Sequence, residues 1–483
     1  MLELTLPLTG FITATILLRQ FYFRRIAWDA GSWLIFLVGW VSIVPTLLAK
    51  LRHQVIYQLD AQMQVVSETL VRNPRLEAAL YFLTVCAAGA LFLRVAMGGS
   101  RRQMSLFGAM FIATSLIAML SNLNAWVHLV TGQPAVLLAL LLAATFATPS
   151  REGAVSGAAV LALSVAIVGT ALVLYDRSIV FMECTAKCTF AGEIFMAATT
   201  HGNTLGLIMA ASIPFVWLAF TNWTKWWMLA FVIFNLALSG SRSALAVGLI
   251  TMVVLGMSNP SLRGGIGRGR TLIPLGAAAA VSVLVAIALP LVERDDTALT
   301  GRGGLWNIAL NAFEDNPLIG GGITAWDNLY NQGAFGAAAA YSTHNQWVEV
   351  LLLAGLAGAL TFGIGVLALF LGSQSSRYVT LAVFLPIAAL GATERPLSFG
   401  LLNTLTWVLV ALVMVSTGTN YSSLFGVEKR LRRSSLQNST SPNVICHRYG
   451  TTCLPRAWDH LGALLRMRGG VVAVKSGALA LAV

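Results

Sequence analysis

The chain has 483 residues, of which 57% are hydrophobic and only 10% charged, with a mean hydropathy of +0.77. That much apolar surface exceeds what a soluble core hides, which excludes an ordinary water-soluble protein and puts the chain in a bilayer. The formal net charge of +12 would suggest nucleic acid in a soluble protein, but basic residues flanking the apolar segments and a basic tail account for it, so no nucleic-acid partner is expected.

Apolar stretches close to the roughly 20 residues that cross a hydrocarbon core of about 30 Å recur through the first 416 residues. Each predicts a transmembrane helix, because a helix satisfies its own backbone polar groups without water. Span centres fall near Thr9, Val38, Val85, Ile112, Leu140, Leu163, Met209, Phe231, Leu249, Leu284, Ala357, Phe384 and Trp407. The expected fold is therefore all-α, a polytopic membrane helical bundle of about 12 to 13 transmembrane helices. The first span lacks a basic n-region and a small-residue cleavage site and reads as retained.

Basic residues gather in alternate loops: Arg19, Arg24 and Arg25; Arg94, Arg101 and Arg102; Arg151; Lys225; Arg263, Arg268 and Arg270; Arg377; then Lys429, Arg430, Arg432 and Arg433. The positive-inside rule turns these towards the cytoplasm and the opposite loops outward. The outward segment from Lys50 to Arg75 breaks the pattern with its own basic residues. Its Leu51, Val55, Leu59, Met63, Val66 and Leu70 recur at helical spacing, predicting an amphipathic surface helix. Cys184 and Cys188 share an outward loop, as CTAKC, where a disulfide and two unpaired thiols are both open readings. Cys446 and Cys453 lie in the inward tail and are expected reduced.

The transmembrane body is assigned to residues 1–416 and a serine-rich, basic cytoplasmic tail, read as disordered, to 417–483. The longest hydrophilic interruption is the outward loop 293–346. Within it LWNIALNAFEDN places Leu305, Ile308, Ala309 and Phe313 on one helical face, and NPLIGGG supplies the proline and glycines that stop that helix. A short surface helix and a tight turn are expected, lying as a lid over the spans.

The candidate chemistry is basic. Arg242, in SGSRSALAV at the outer end of a span, either snorkels to headgroups or turns inward among Gly240, Ser241, Ser243 and Ala244, which permit close helix packing. Arg302, in LTGRGGLW, is expected on a glycine-rich turn whose backbone can approach an anion. A guanidinium offers planar donors that suit phosphate oxygens and stays protonated. His344, in STHNQWVEV, is either a structural residue at a helix start or a base poised to take a proton near neutral pH. Asn345 beside it can hold a sugar hydroxyl or orient the ring, and His201 with Asn203, in THGNTLG, forms a less specific pair of the same kind. Metal is not expected: HExxH, paired CxxC motifs and Asp-x-Asp are absent, and Asp295 and Asp296 read as loop acids. No nucleotide or other cofactor is expected, since the P-loop, the dinucleotide fingerprint and GxSxG are missing.

HGNTLG at His201, SGSRSALAV at Ser239, TGRGGLWNIALNAFEDNPLIGGG at Thr300 and HNQWVEVLLLAGLAG at His344 together resemble the integral-membrane O-antigen ligase and polymerase superfamily, which includes exopolysaccharide polymerases. The resemblance covers about 202–367. It implies a fold like that of C-type glycosyltransferases in a bacterial inner membrane, with the large loop periplasmic. By resemblance, a glycan on undecaprenyl diphosphate passes to an acceptor glycan or glycolipid without metal, with inversion. Arg242 and Arg302 would bind the donor diphosphate, and His344 would act as base or orient the acceptor. Membrane lipids, a flippase and a chain-length regulator are the implied partners. ALTGRGGLW leans towards a polymerase; an O-antigen ligase handing the finished chain to lipid A core is the alternative, and a small-anion transporter a second.

Overall fold

The computed structural model describes residues 2–23, 25–59, 65–97, 104–121, 132–146, 150–183, 188–258, 268–296, 298–334, 342–372 and 374–417. The tail, with Cys446 and Cys453, and Cys184 lie outside the described residues. Cys188 is disulfide-bonded.

Fifteen α-helices are described, and they carry nearly all of the fold. The first six are α1 (Leu2–Tyr22), α2 (Ala30–Leu51), α3 (Pro74–Met97), α4 (Leu106–Leu120), α5 (Gln133–Phe146) and α6 (Arg151–Leu172). Then come α7 (Gly202–Ala219), α8 (Asn222–Leu238), α9 (Arg242–Met257) and α10 (Arg268–Val292). The last five are α11 (Ala298–Asp315), α12 (Ala325–Asn331), α13 (Gln346–Leu371), α14 (Gln374–Leu390) and α15 (Thr406–Thr417). All the span centres expected from hydropathy fall within these helices, and seven helices are long and apolar enough to cross a membrane. The protein is thus a multi-pass helical membrane protein.

Small residues decide which helices sit at the centre. The apolar windows of α6 and α7 are each 72% buried, whereas those of α3 and α10 are 17% buried and face outward. Along α6, a Cβ added at Gly157 would stand 2.6 Å from the Ser32 Cα of α2, so the two backbones touch where glycine allows it. Asp29 caps α2, accepting from Ser32 N at 2.9 Å, and also accepts from Ser150 Oγ at 2.7 Å, which ties the starts of α2 and α6 together. Further on, α13 packs most extensively against α4, and α10 against α14.

Two sequence expectations change. In place of an amphipathic helix, two antiparallel strands pair, β1 (Val55–Leu59) with β2 (Val65–Leu70), while Met63 lies outside the described residues. The strand sequences VIYQL and VVSETL carry Val, Ile, Tyr and Thr, whose branched or aromatic side chains favour strands. The segment before Trp407 also departs from expectation. Residues 391–405 are non-helical and largely buried, so Trp407 opens α15 instead of centring a span. There Phe399 stacks on Phe111 of α4, ring centroids 4.7 Å apart, and meets Phe362 of α13 edge-on at 5.4 Å. Irregular backbone is tolerated inside a membrane protein when protein surrounds it.

The large loop binds the bundle through a break in α13. Gly355 takes φ +61, which interrupts the helical ladder. NPLIGGG fills the gap: Gly321 N and Gly322 N donate to Leu352 O and Leu353 O, while Leu356 N and Ala357 N donate to Pro317 O and Leu318 O. The groups freed by the break are thereby satisfied. Only glycine fits at the contact, since a Cβ on Gly355 would come within 2.5 Å of Leu318 C. The loop holds a helix, α11, that ends before this proline-glycine turn as expected, but at 18 residues it is longer than the short surface helix expected, and it buries Trp306.

Candidate functional site

Arg302 is the fifth residue of α11 and follows its first turn, so the glycine-rich turn expected from LTGRGG is the opening of a helix. That turn is irregular, with Leu299 at φ +50 and Gly301 at φ +86. The glycines serve close packing: a Cβ on Gly303 would lie 2.0 Å from Asp295 O. Trp306, one turn further, is fully buried and donates its indole N–H to Thr343 O at 2.8 Å. This bond docks the helix that carries Arg302 onto the segment that carries His344.

His344 adopts φ +50, a left-handed conformation uncommon outside glycine and sustained only where the surroundings over-determine it. Asn345 supplies much of that restraint. Its Oδ1 accepts from Trp347 N at 2.9 Å and Val348 N at 3.0 Å, capping α13. Its Nδ2 donates to Ala286 O of α10 at 2.8 Å and Ala392 O at 3.1 Å. The amide is wholly buried and its hydrogen-bonding capacity is spent within the protein, so its place is structural, beside the histidine.

Arg302 and His344 converge on one carboxylate. Arg302 Nη2 donates to Glu394 Oε1 at 2.6 Å, and His344 Nδ1 lies 3.0 Å from Glu394 Oε2. The side chains of Glu394 and Arg302 are 10% and 16% exposed and that of His344 is 31% exposed, so the imidazole is the most open member. Glu394 was invisible to motif reading. It lies in the polar GATERPLSFG between two apolar segments, and no sequence spacing announces a contact 50 residues away from His344.

A second carboxylate lies alongside. Glu349, with 3% of its side chain exposed, accepts from Arg395 Nη1 at 2.8 Å and from Thr343 Oγ1 at 2.9 Å. Gln346 holds the same loop through paired bonds, Nε2 to Leu397 O at 3.0 Å and Leu397 N to Oε1 at 2.8 Å. Beside this clamp a small apolar cavity lies between α10, α13 and α14, lined by Val283, Gln346, Trp347, Ile387 and Leu397 among others.

The other sequence candidates stand elsewhere. Arg242 is the first residue of α9 and is exposed, with no hydrogen bond or ion pair to the Glu394 cluster among the described residues. His201 caps α7, its Nδ1 accepting from Asn203 N at 3.0 Å. The starts of α7 and α9 interlock, because a Cβ on Gly202 would come within 2.3 Å of Ser239 O and one on Gly206 within 2.6 Å of Ser241 Cβ. The candidates therefore form two groups: Arg302 and His344 on Glu394, and His201, Asn203 and Arg242 on two adjoining helix starts. No group of three or more His, Cys, Asp and Glu side chains is placed to hold a metal ion among the described residues.

Residues 227–363 match the family model described as O-antigen ligase. The match contains Arg242, Arg302 and His344 and ends before Glu394. No curated protein and no solved structure matches the chain.

Proposed function

We propose that this protein, a member of the O-antigen ligase and polymerase superfamily through residues 227–363, transfers glycan from an undecaprenyl-diphosphate-linked donor to an acceptor hydroxyl at the outer face of the bacterial inner membrane. The family accounts for glycan transfer of ligase or polymerase type. The observation that carries the finer reading is the convergence of Arg302 and His344 on Glu394. In that arrangement a phosphate-binding cation and a proton acceptor stand side by side, as a displacement at an anomeric carbon requires.

Arg302 has donors beyond the one given to Glu394, and these suit a diphosphate on which charge develops as it leaves. His344 takes the acceptor hydroxyl proton while the acceptor oxygen attacks, and a single displacement inverts the anomeric centre. Arg242, exposed at the start of α9, would supply a second cation to the donor diphosphate, with His201 and Asn203 at the adjoining start of α7. O-antigen or exopolysaccharide repeat units are the favoured cargo, passed to another lipid-linked repeat. Transfer of a finished chain to lipid A core is the second reading, favoured by the description of the matching family.

The glycan profile of a deletion strain separates the two. A polymerase leaves single repeats accumulating, whereas a ligase leaves intact polymer on its lipid carrier. Purified Arg302→Ala or His344→Ala protein in proteoliposomes should lose transfer by about 10²-fold or more. Wild-type rates in both variants would overturn the proposal.

A further inference from the structure

Glu394 is a buried acid that the transfer chemistry proposed above does not use, yet it contacts both groups that chemistry needs. An ionised carboxylate only accepts hydrogen bonds, so at the 3.0 Å contact His344 Nδ1 is the donor. A neutral imidazole with its proton on Nδ1 carries its lone pair on Nε2. The carboxylate is also fixed in space relative to the ring. Glu394 N donates to Leu390 O at 2.8 Å, Gln346 N to Gly391 O at 2.9 Å and Asn345 Nδ2 to Ala392 O at 3.1 Å. The residues directly following His344 therefore grip those directly preceding Glu394.

We infer that Glu394 is a positioning residue, which holds His344 in the Nδ1–H tautomer and keeps Nε2 as the proton acceptor for the incoming sugar hydroxyl. Its other oxygen holds Arg302 at 2.6 Å, so one carboxylate sets the base and the leaving-group cation in register. In the step itself the acceptor O–H proton moves to Nε2, and the acceptor oxygen bonds to the anomeric carbon. The bond from that carbon to the diphosphate breaks with its electron pair leaving on the diphosphate. The imidazolium so formed lies against the Glu394 carboxylate. A merely structural ion pair would hold α11 to the bundle and would not care which histidine nitrogen bears the proton.

The inference rests on the glycan-transfer reading, and its test has one arm that does not. Full-length wild type, Glu394→Gln, Glu394→Asp, His344→Gln and the Glu394→Gln/His344→Gln double variant are compared in proteoliposomes with a lipid-diphosphate-linked glycan donor. Glu394→Gln should lower kcat by about 10²-fold while the donor KM stays within about two-fold, as expected when transition-state interactions alone are lost. The double variant should be no slower than His344→Gln alone, because residues acting as a unit are not additive. Multiplying effects, or a wild-type kcat in Glu394→Gln, would sink the inference while leaving glycan transfer standing. Should Glu394→Gln melt early, Glu394→Asp replaces it in the cycle, and its loss must likewise vanish in the His344→Gln background. The independent arm is ¹⁵N-histidine NMR, with the His344 signals assigned by their absence from His344→Gln. A single Nδ1–H tautomer in wild type that becomes mixed in Glu394→Gln supports the inference even where no donor turns over; an unchanged tautomer overturns it.

Discussion

Glu349 and Glu394 are both buried glutamates paired with an arginine, and they lie at the same junction of α13 with the 391–405 segment. Their partners differ. Glu349 accepts from Arg395 and from the neutral hydroxyl of Thr343, six residues before it, and so closes the junction on itself. Glu394 reaches outward to Arg302 of the large loop and to the His344 imidazole. Burial and charge alone therefore do not mark a working acid. What marks it is the nature and openness of the groups it gathers, and Glu394 gathers a cation and a base from two different segments.

The largest effect that would test this division belongs to Arg302. Arg302→Ala removes the donors proposed for the leaving diphosphate and should cost about 10² to 10³ in kcat, on the scale of losing one transition-state donor. Glu394 loses its arginine but keeps His344, so the melting midpoint should fall by less than it does in Arg395→Ala. A variant that unfolds but transfers normally per folded molecule would make Arg302 a structural residue like Arg395.

Arg395→Ala should do the reverse. Glu349, 3% exposed, would keep only a hydroxyl partner. Breaking one side of a buried pair costs about 3 kcal/mol or more, which thermal unfolding in detergent would register. Transfer per folded molecule should stay within a few-fold. Stability unchanged with transfer abolished would reverse the roles of the two acids.

The helical body was legible because apolar length is a local signal, and the expected span centres all fall in helices. So was the stop after α11, written as Asn316-Pro317 and three glycines. What failed depends on tertiary pairing. Residues 55–70 present helical spacing, yet their strands pair Val55 with Leu70 and Tyr57 with Glu68, a choice that periodicity in one strand does not reveal. The residues between Leu390 and Thr406 lie between the expected span centres Phe384 and Trp407, and the packing of Phe399 there on Phe111 and Phe362 comes from distant helices. In the site, the motifs singled out Arg302 and His344 and missed the acid that joins them. Asn345 looked like a sugar ligand because a capping asparagine and a binding asparagine are the same letter.

A smaller effect tests what holds the large loop in place. Gly355→Ala puts a Cβ at φ +61 within 2.5 Å of the Leu318 carbonyl carbon, and such backbone strain costs about 2 kcal/mol. Gly320→Ala, at φ +72 against Ala354 N, attacks the same seam from the other side. The two substitutions should not add, since either one opens the seam for both. Additive losses in melting midpoint would show that Gly320 and Gly355 act in separate contacts.

The smallest expected effect comes from Trp306→Phe, which keeps an aromatic ring in the buried site and deletes the N–H given to Thr343 O. A hydrogen bond of this kind contributes about 1 kcal/mol net, so stability should fall only slightly. Transfer should fall several-fold all the same, because the bond sets the register of the Arg302 helix on the His344 segment and leaves the Glu349 pair untouched. The comparison of the two acids requires this asymmetry. A loss in stability with no loss in rate would mean that the Arg302–Glu394 contact aligns α11 unaided, and Trp306 would then belong with Glu349 among the groups that close the junction.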